Sequence, residues 1–509
     1  MAPASSTRQV ITDHKTQKEN SSCTVINHLL DADEFRRQGH KVIDFIADYY
    51  SGIADYPVHP SVTPGFLLNQ LPADPPEDPD TFASALQDVR DLILPGMTHW
   101  QSPRHLAHFP ASSSVTGALG EALAAGINAV PFMWSASPAA TELEMVAVDW
   151  LGKALHLPKT LLFSGAGGGT LLGTSYRKLA ETGAGRIGDL VVYGSDQTHF
   201  ALRKAARIAG IRHGRCRELR TCIADMFALS PAALSAAMDA DAGAGLVPLF
   251  LCATVGTTQT KAVDPIGALC AEAAPHGVWV HVDAAYGGSA LVCPELARDA
   301  IDGVEAVDSF SMNAHKWLLV NTDCCALWVK RPALLVSALG TQDEDEVILR
   351  DAAAQGHDVV DYKDWAVTLT RRFRALKLWL VLRCYGVEGL REHIRGHVRM
   401  AALFEGMVNA DPRFEVVTER RFALVCFRLR PDQLPDEGNK KKTMAAANEL
   451  NRRLLQEVNA AALGPYMSAA NVGGIYVLRC AVGSTLTEKR HVRQAWEVVQ
   501  EKATSILRA

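Results

Sequence analysis

Two short stretches carry residues whose types and spacing suit one kind of chemistry. The first is Asn313-Ala-His-Lys-Trp317, which follows the apolar run Val307 to Met312 and precedes another, Cys325 to Val329. A lysine in a short turn between two buried strands is unusual, because lysine is seldom buried without a partner or a task. Desolvation lowers the pKa of such an amine and makes it a good imine-forming nucleophile. The second stretch is Val278 to Tyr286, a strand-like run that reaches the carboxylate of Asp283. A strand-end aspartate followed about thirty residues later by Ser-x(3)-Asn-x-His-Lys reads as a pyridoxal 5'-phosphate (PLP) site. Lys316 would hold the cofactor and Asp283 would pair with its pyridinium nitrogen. For Lys316 taken alone, an ion pair at a sheet edge is the plainer alternative.

Bringing these groups together requires strands that end on one side. Leu190 to Tyr193 is predicted as a strand with Ser195-Asp-Gln-Thr-His199 at its end, then a helix over Phe200 to Ala209. Val247 to Ala253 is a strand ending in Thr254-Val-Gly-Thr-Thr258, followed by a helix over Ile266 to Ala274 and a strand over Val278 to Val282. This alternation predicts an α/β fold with a mostly parallel central sheet and helices on both faces. Ligands bind beyond the carboxyl ends of such strands, where His199, Thr254, Thr258, Asp283 and Lys316 all fall. Upstream, Leu161 to Phe163 reads as a strand entering the glycine run Ser164 to Thr170 before a helix. That pattern suits a phosphate cradle, and a plain tight turn suits it equally. No Gly-Lys-Ser/Thr follows, so it is not a Walker A loop.

The flanking regions are less rich in chemistry. Residues 1–25 are polar and predicted disordered. A helix begins at Asp31 with Glu34 as capping-box partner, and Phe35, Val42, Phe45, Ile46 and Tyr49 form an apolar face. A proline-rich extended connection, Tyr56 to Asp80, precedes a helix over Phe82 to Leu94. So small a lobe with large apolar faces is expected to pack on a partner subunit. His99, His105 and His108 match no familiar ligand spacing, so no metal is expected. Pro131 to Pro138 is an aromatic loop and Thr141 to His156 a helix. The acidic stretch between Leu339 and Val360 reads as a solvated loop or an active-site lid. Helices over Ala375 to Tyr385, His393 to Met407, Met444 to Val458 and Glu488 to Ile506 alternate with strands over Phe422 to Leu429 and Gly474 to Cys480. The expected organisation is an N-terminal helical segment over 26–110, a large domain over 111–385 and a small C-terminal α/β domain over 386–509.

Composition narrows the class. The chain has 509 residues, 48% hydrophobic and 21% charged, as in soluble globular proteins. A net charge of -5 argues against a nucleic-acid binder. No apolar run is long enough to span a bilayer, and no signal-peptide core is evident. The 11 cysteines form no CxxC pair, which suits a reducing compartment and predicts a cytoplasmic protein.

Four motifs carry a resemblance: Trp134-Ser-Ala-Ser-Pro-Ala-Ala-Thr-Glu-Leu-Glu144, Ser195-Asp-Gln-Thr-His199, His281-Val-Asp-Ala-Ala-Tyr286 and Asn313-Ala-His-Lys-Trp317. With them, the chain from about residue 30 resembles the plant aromatic L-amino acid decarboxylases, of the tyrosine decarboxylase-like branch. The resemblance implies the PLP-dependent transferase fold type I, a homodimer, PLP as cofactor and a small aromatic amino acid as substrate. It implies that Lys316 holds PLP, Asp283 pairs with the pyridine nitrogen, His199 stacks on the ring and Ala285 packs its other face. Thr174, Ser175, Thr258, Ser309 and His315 would complete the cofactor site. Trp100, His108, Phe109, Pro110 and Phe132 would line the substrate pocket, with Phe132 reaching in from the partner subunit. Thr370 stands where a hydroxyl leans toward phenolic substrates, although a helix N-cap would also account for it.

Two departures from that family pattern bear on the product. The loop frame expected to read Glu-Tyr-Ile-Leu-Arg-Asp reads Glu346-Val-Ile-Leu-Arg-Asp351, so Val347 replaces a tyrosine implied in protonation. Relatives with phenylalanine there resemble aldehyde synthases, which couple decarboxylation to oxidative deamination. Further, Gly173-Thr-Ser175 runs directly into Tyr176-Arg-Lys-Leu-Ala180, where the family has about twelve more residues, about 18 Å of helix. That loss raises a third expectation, a relative with impaired cofactor binding.

Overall fold

Leu190-Val-Val-Tyr193 is apolar at every position, and in the structure its side chains split between two cores. Val191 and Tyr193 join Leu251, Ala253, Leu234, Met238 and Ile266 in one cluster, whereas Leu190 and Val192 join Phe250, Cys252, Leu202 and Ala206 in another. Period-two alternation with both faces apolar is what a strand covered by helices on each side requires. Each of the larger aliphatic or phenyl side chains among them contributes on the order of 1.5–3 kcal/mol on burial.

The structure, a computed structural model, describes residues 29–172, 187–340, 359–431, 440–461 and 463–508. It divides into two compact units: the chain up to Tyr56 with Pro60–Met97, and Pro57–His59 with Thr98 onward. In the first, the helix Ala32–Gly52 is capped by Asp31, whose carboxylate accepts the Glu34 N–H at 2.7 Å. The Glu34 carboxylate turns outward to Arg37 and Gln38.

The second unit holds two sheets. The strands in chain order are β1 (His105–Leu106), β2 (Gly168–Leu172), β3 (Leu190–Ser195), β4 (Cys216–Leu219), β5 (Val247–Thr254), β6 (Trp279–Asp283), β7 (Ser309–Asn313) and β8 (Cys325–Val329). They continue with β9 (Phe414–Val416), β10 (Leu424–Leu429), β11 (Tyr466–Val472) and β12 (Ile475–Ala481). The large sheet runs β2-β8-β7-β6-β5-β3-β4, parallel from β7 through β4, with β8 antiparallel to both β7 and β2. The small sheet runs β1-β11-β12-β10-β9, and β1 joins it by pairing His105 with Tyr466. Among the described residues no helix is long and apolar enough to cross a membrane. None of the ten described cysteines forms a disulfide.

The glycine run departs from expectation. Leu161 ends a 3-10 turn rather than a strand, and Gly168–Leu172 is itself β2, paired with β8. A Cβ at Gly169 would lie 2.5 Å from Val148 and 2.9 Å from the Leu327 carbonyl; at Gly168, one would lie 2.7 Å from Trp365. These two glycines therefore let a strand pack closely, and they do not open a helix over a phosphate. The helices Val115–Ile127 and Pro231–Gly243 and the strands β4, β9 and β11 were not anticipated. The two C-terminal helices expected near 375–407 form one element, Arg374–Ala410, broken at Gly386 where φ is +63°.

A buried ion pair fixes the edge beside β2. Arg371 Nη2 lies 2.6 Å from Glu144 Oε1 and also donates to Thr170 Oγ1 and the Leu171 carbonyl, while Nη1 donates to the Pro131 carbonyl. The Leu171 N–H returns a bond to Glu144 at 2.8 Å. With both side chains buried, losing one charge strands the other. Glu144→Gln is expected to destabilise the protein by about 3–5 kcal/mol, read as a drop in the urea unfolding midpoint. An unchanged midpoint would contradict this role.

Candidate active site

The parallel strands set their last residues side by side. Thr254 at the end of β5 pairs in register with Asp283 at the end of β6, and Asp283 pairs with Ser311 of β7. Beyond them the Ala284 N–H donates to the Ser311 carbonyl at 2.8 Å, and the Asn313 N–H to the Ala285 carbonyl at 3.1 Å. The Asp283 carboxylate is braced by the Ala285 N–H at 3.0 Å.

Lys316 lies in a single helical turn, Ala314–Trp317, directly after β7. Burial pulls its amine below the ordinary lysine range, while the charge of Asp283 pulls it back up. A serine strap from Ser112 to Ser114 holds this turn. The Ser112 N–H donates to the His315 carbonyl at 2.9 Å, Ser112 Oγ accepts the Leu319 N–H at 2.9 Å, and Ser114 Oγ donates to the Leu319 carbonyl at 2.7 Å. His315 is fixed by Nδ1 on the Cys324 backbone, and burial, with Lys316 close by, lowers its pKa. The Lys316 ammonium sits 6.0 Å from the centre of the Phe109 ring. Phe109 stacks on Tyr286 at 3.7 Å, and Tyr286 on Trp317 at 4.9 Å.

The other expected residues fall into three sets. His199 stands just past β3, its Nδ1 accepting the Ala201 N–H at 3.3 Å, and Thr258 lies in the turn after β5, its carbonyl taking a bond from Arg479 at 2.8 Å. Trp100 and His108 form a ring cluster with His105 and Tyr466, in which His108 Nδ1 lies 3.4 Å from His105 Nε2. Pro110 packs against Gly483, where a Cβ would meet it at 2.4 Å. Phe132 and Thr370 belong to the β2 edge, tied there through Pro131 and Arg371. That edge lies two strands, about 10 Å, from β7. The helix after Thr370 is capped at Phe373, so Thr370 is not its N-cap. Thr174, Ser175 and Val347 lie outside the described residues.

Ser309 is not brought to the site. It opens β7 and bonds Trp279 Nε1 at 2.9 Å and His281 Nδ1 at 2.8 Å, four residues or about 13 Å before the strand end. Thr254, which the sequence already places at a strand end, and Asn313 and Gln197, which it does not single out, lie near the strand ends instead. Thr254 Oγ1, Asn313 Oδ1 and Gln197 Oε1 are buried without a hydrogen-bond partner among the described residues. Buried polar atoms are rarely left so, and their presence at the ends of β3, β5 and β7 fits a polar cofactor. The sequence offered one signal for them, their positions in or beside the strand-end motifs. Among the described residues no group of His, Cys, Asp and Glu is arranged to hold a metal ion.

The comparisons agree with this geometry. Residues 64–430 match the pyridoxal-dependent decarboxylase conserved domain. The chain belongs to this family of PLP-dependent carboxy-lyases of fold type I. It is 74% identical to a tyrosine decarboxylase of Oryza sativa subsp. japonica, over 94% of this chain and 92% of that one. It is 51% identical to a phenylacetaldehyde synthase of a Rosa hybrid cultivar, over 97% and 98% of the two chains. Its structure matches the crystal structure of Oryza sativa TDC with PLP and tryptamine, with a TM-score of 0.90 and 44% identity over 94% of this chain and 99% of that one.

The opposing effects on Lys316 give a signed expectation. Asp283→Asn removes the charge that favours the ammonium, so Lys316 should titrate lower still. Reductive methylation of Lys316 in the cofactor-free protein, followed across pH by mass spectrometry, should then reach half-reactivity at a lower pH than in the unaltered protein. A midpoint that stays put or rises would refute the pairing.

Proposed function

We propose that the protein decarboxylates an aromatic L-amino acid with a phenolic side chain, tyrosine or dopa, to the arylalkylamine and carbon dioxide. The observation that carries this reading is the desolvated Lys316 opposite Asp283 at the joined ends of β6 and β7, within a chain so similar to a tyrosine decarboxylase. PLP, when bound, supplies the electron sink for the pair left behind as carbon dioxide departs. Lys316 Nζ would hold the cofactor through its aldehyde carbon, and Asp283 would keep a proton on the ring nitrogen. His199 would cover one ring face and Ala285 the other. His315, Thr258, Thr174 and Ser175 would complete the site, together with the unsatisfied Thr254, Asn313 and Gln197. Trp100, His108, Phe109 and Pro110 would exclude water from the substrate. Phe132 would act from a second copy of the chain, and Thr370 would favour a phenol.

A homodimer is part of this reading. Val115, Leu119, Leu123 and Ile127 recur every four residues along one helix and are 75%, 47%, 52% and 61% exposed. A helix stripe that apolar is an interaction surface. In the N-terminal unit the helix Ala32–Gly52 buries none of its residues, and Phe35 is 71% exposed.

Val347 favours a second reading, an aromatic aldehyde synthase. In that reaction the amino acid, oxygen and water give aldehyde, carbon dioxide, ammonia and hydrogen peroxide. Product analysis with tyrosine separates the two. Tyramine and carbon dioxide in equal amounts without peroxide support the first; peroxide and ammonia support the second. Val347→Tyr should raise the amine fraction, and Lys316→Ala should abolish both products. A folded protein that shows no visible absorbance band after PLP addition and desalting would sink both readings.

A further inference from the structure

Trp317 closes the turn that carries Lys316, and it is fully buried. Its indole N–H donates to Nδ1 of His397 at 2.8 Å, and the two rings lie nearly parallel, 9° apart, at 6.2 Å. His397 belongs to the helix segment beyond the Gly386 break, far from Lys316 in sequence. Burial keeps it well below the ordinary imidazole range, so the ring is neutral, and the Trp317 N–H, which can only donate, makes Nδ1 its accepting nitrogen. Its ring is held in turn by a hydrogen bond to the Ser484 backbone and by His393, packed edge-on at 4.4 Å. Phe109, Tyr286, Trp317 and His397 thus form one series of near-parallel rings, with interplanar angles of 6°, 12° and 9°. It runs from a ring 6.0 Å from the Lys316 ammonium to a buried acceptor.

We propose that His397 is a positioning residue for Lys316, acting through Trp317. The serine strap fixes the carbonyls around the turn, but a main-chain anchor leaves its rotation about the β7 exit to be set by side chains. Trp317 is the large side chain of that turn, and its buried N–H requires an acceptor in one place. His397 supplies it. The functional importance of this rests on Lys316 being the cofactor lysine.

Lys316 itself reports the test. In the cofactor-free protein, loosening the turn admits water to the amine and raises its pKa toward the ordinary lysine value. His397→Phe keeps a ring but no acceptor. It should move the half-reactivity pH for reductive methylation of Lys316 up by about one unit, a tenfold change in the neutral fraction. His397→Gln keeps an acceptor and should restore the original midpoint. Trp317→Phe removes the donor together with the second ring of the indole; it should shift as His397→Phe does, and it guards against His397→Phe failing to fold. Folded variants that unfold at lower temperature yet keep the original methylation midpoint would make His397 merely structural and overturn the proposal. Borohydride trapping of PLP on Lys316 in the unaltered protein tests the cofactor reading separately. Failure there leaves the methylation comparison able to decide the positioning role.

Discussion

The structure is organised around the difficulty of holding one half-buried amine out of water. An ammonium removed from water is costly unless a negative charge or hydrogen-bond acceptors replace its solvent. Here Asp283 offsets only part of the desolvation, so Lys316 is left with a depressed pKa. That imbalance makes the amine reactive. Keeping it demands a rigid surround, because a relaxed turn would let water in. The serine strap, the His315 contact with Cys324 and the series of aromatic rings all bear on the same four-residue turn.

The sheet makes the pairing of charges possible. Asp283 and Lys316 meet because β6 and β7 are parallel neighbours and their registers are fixed. Registers are fixed because alternate residues serve different cores, so a one-residue slip would exchange the two faces. Burial of ordinary valines and leucines far from the site therefore determines which atom faces the amine. Asp264 adds a local restraint. Its buried carboxylate accepts the N–H groups of Thr254 and Leu229, each at 2.8 Å, and pins the end of β5.

Much of this was legible in the sequence where the physics is local. The run Cys325 to Val329 gave β8 to the residue, and Asp31 capped its helix, because strand patterning and capping act over a few residues. The glycine run misled because Gly168 and Gly169 answer to Trp365, Val148 and Leu327, which are distant in sequence. The helices Val115–Ile127 and Pro231–Gly243 are rich in alanine and glycine, and small residues give little contrast between faces. At the site, Lys316 and Asp283 announced themselves by type and spacing. The misplacement of Ser309 had a different origin. A motif gives order along the chain, but the strand's rise puts its first residue about 13 Å from its last. The strap, the Glu144–Arg371 pair and the Trp317–His397 bond join segments far apart in the chain, and no local pattern marks them.

The connection after Leu172, which the family resemblance reads as about twelve residues short, joins two strands that are each held on their own. β2 is held without it, by its ladder to β8 and by Arg371 on Thr170 and Leu171. β3 is likewise held between β4 and β5. The chain must pass from one edge of the sheet across to β3, five strand positions away in the order β2-β8-β7-β6-β5-β3. That is about 24 Å across the sheet at the usual strand spacing, and since Leu172 lies level with Asn313 while Leu190 lies level with the start of β5, the chain must also return about a strand length. The seventeen residues between Leu172 and Leu190 reach about 56 Å when extended. Chain length therefore suffices to close the connection with neither strand displaced. Both strands, and with them the Asp283–Lys316 pairing, are held by ladders among the described residues.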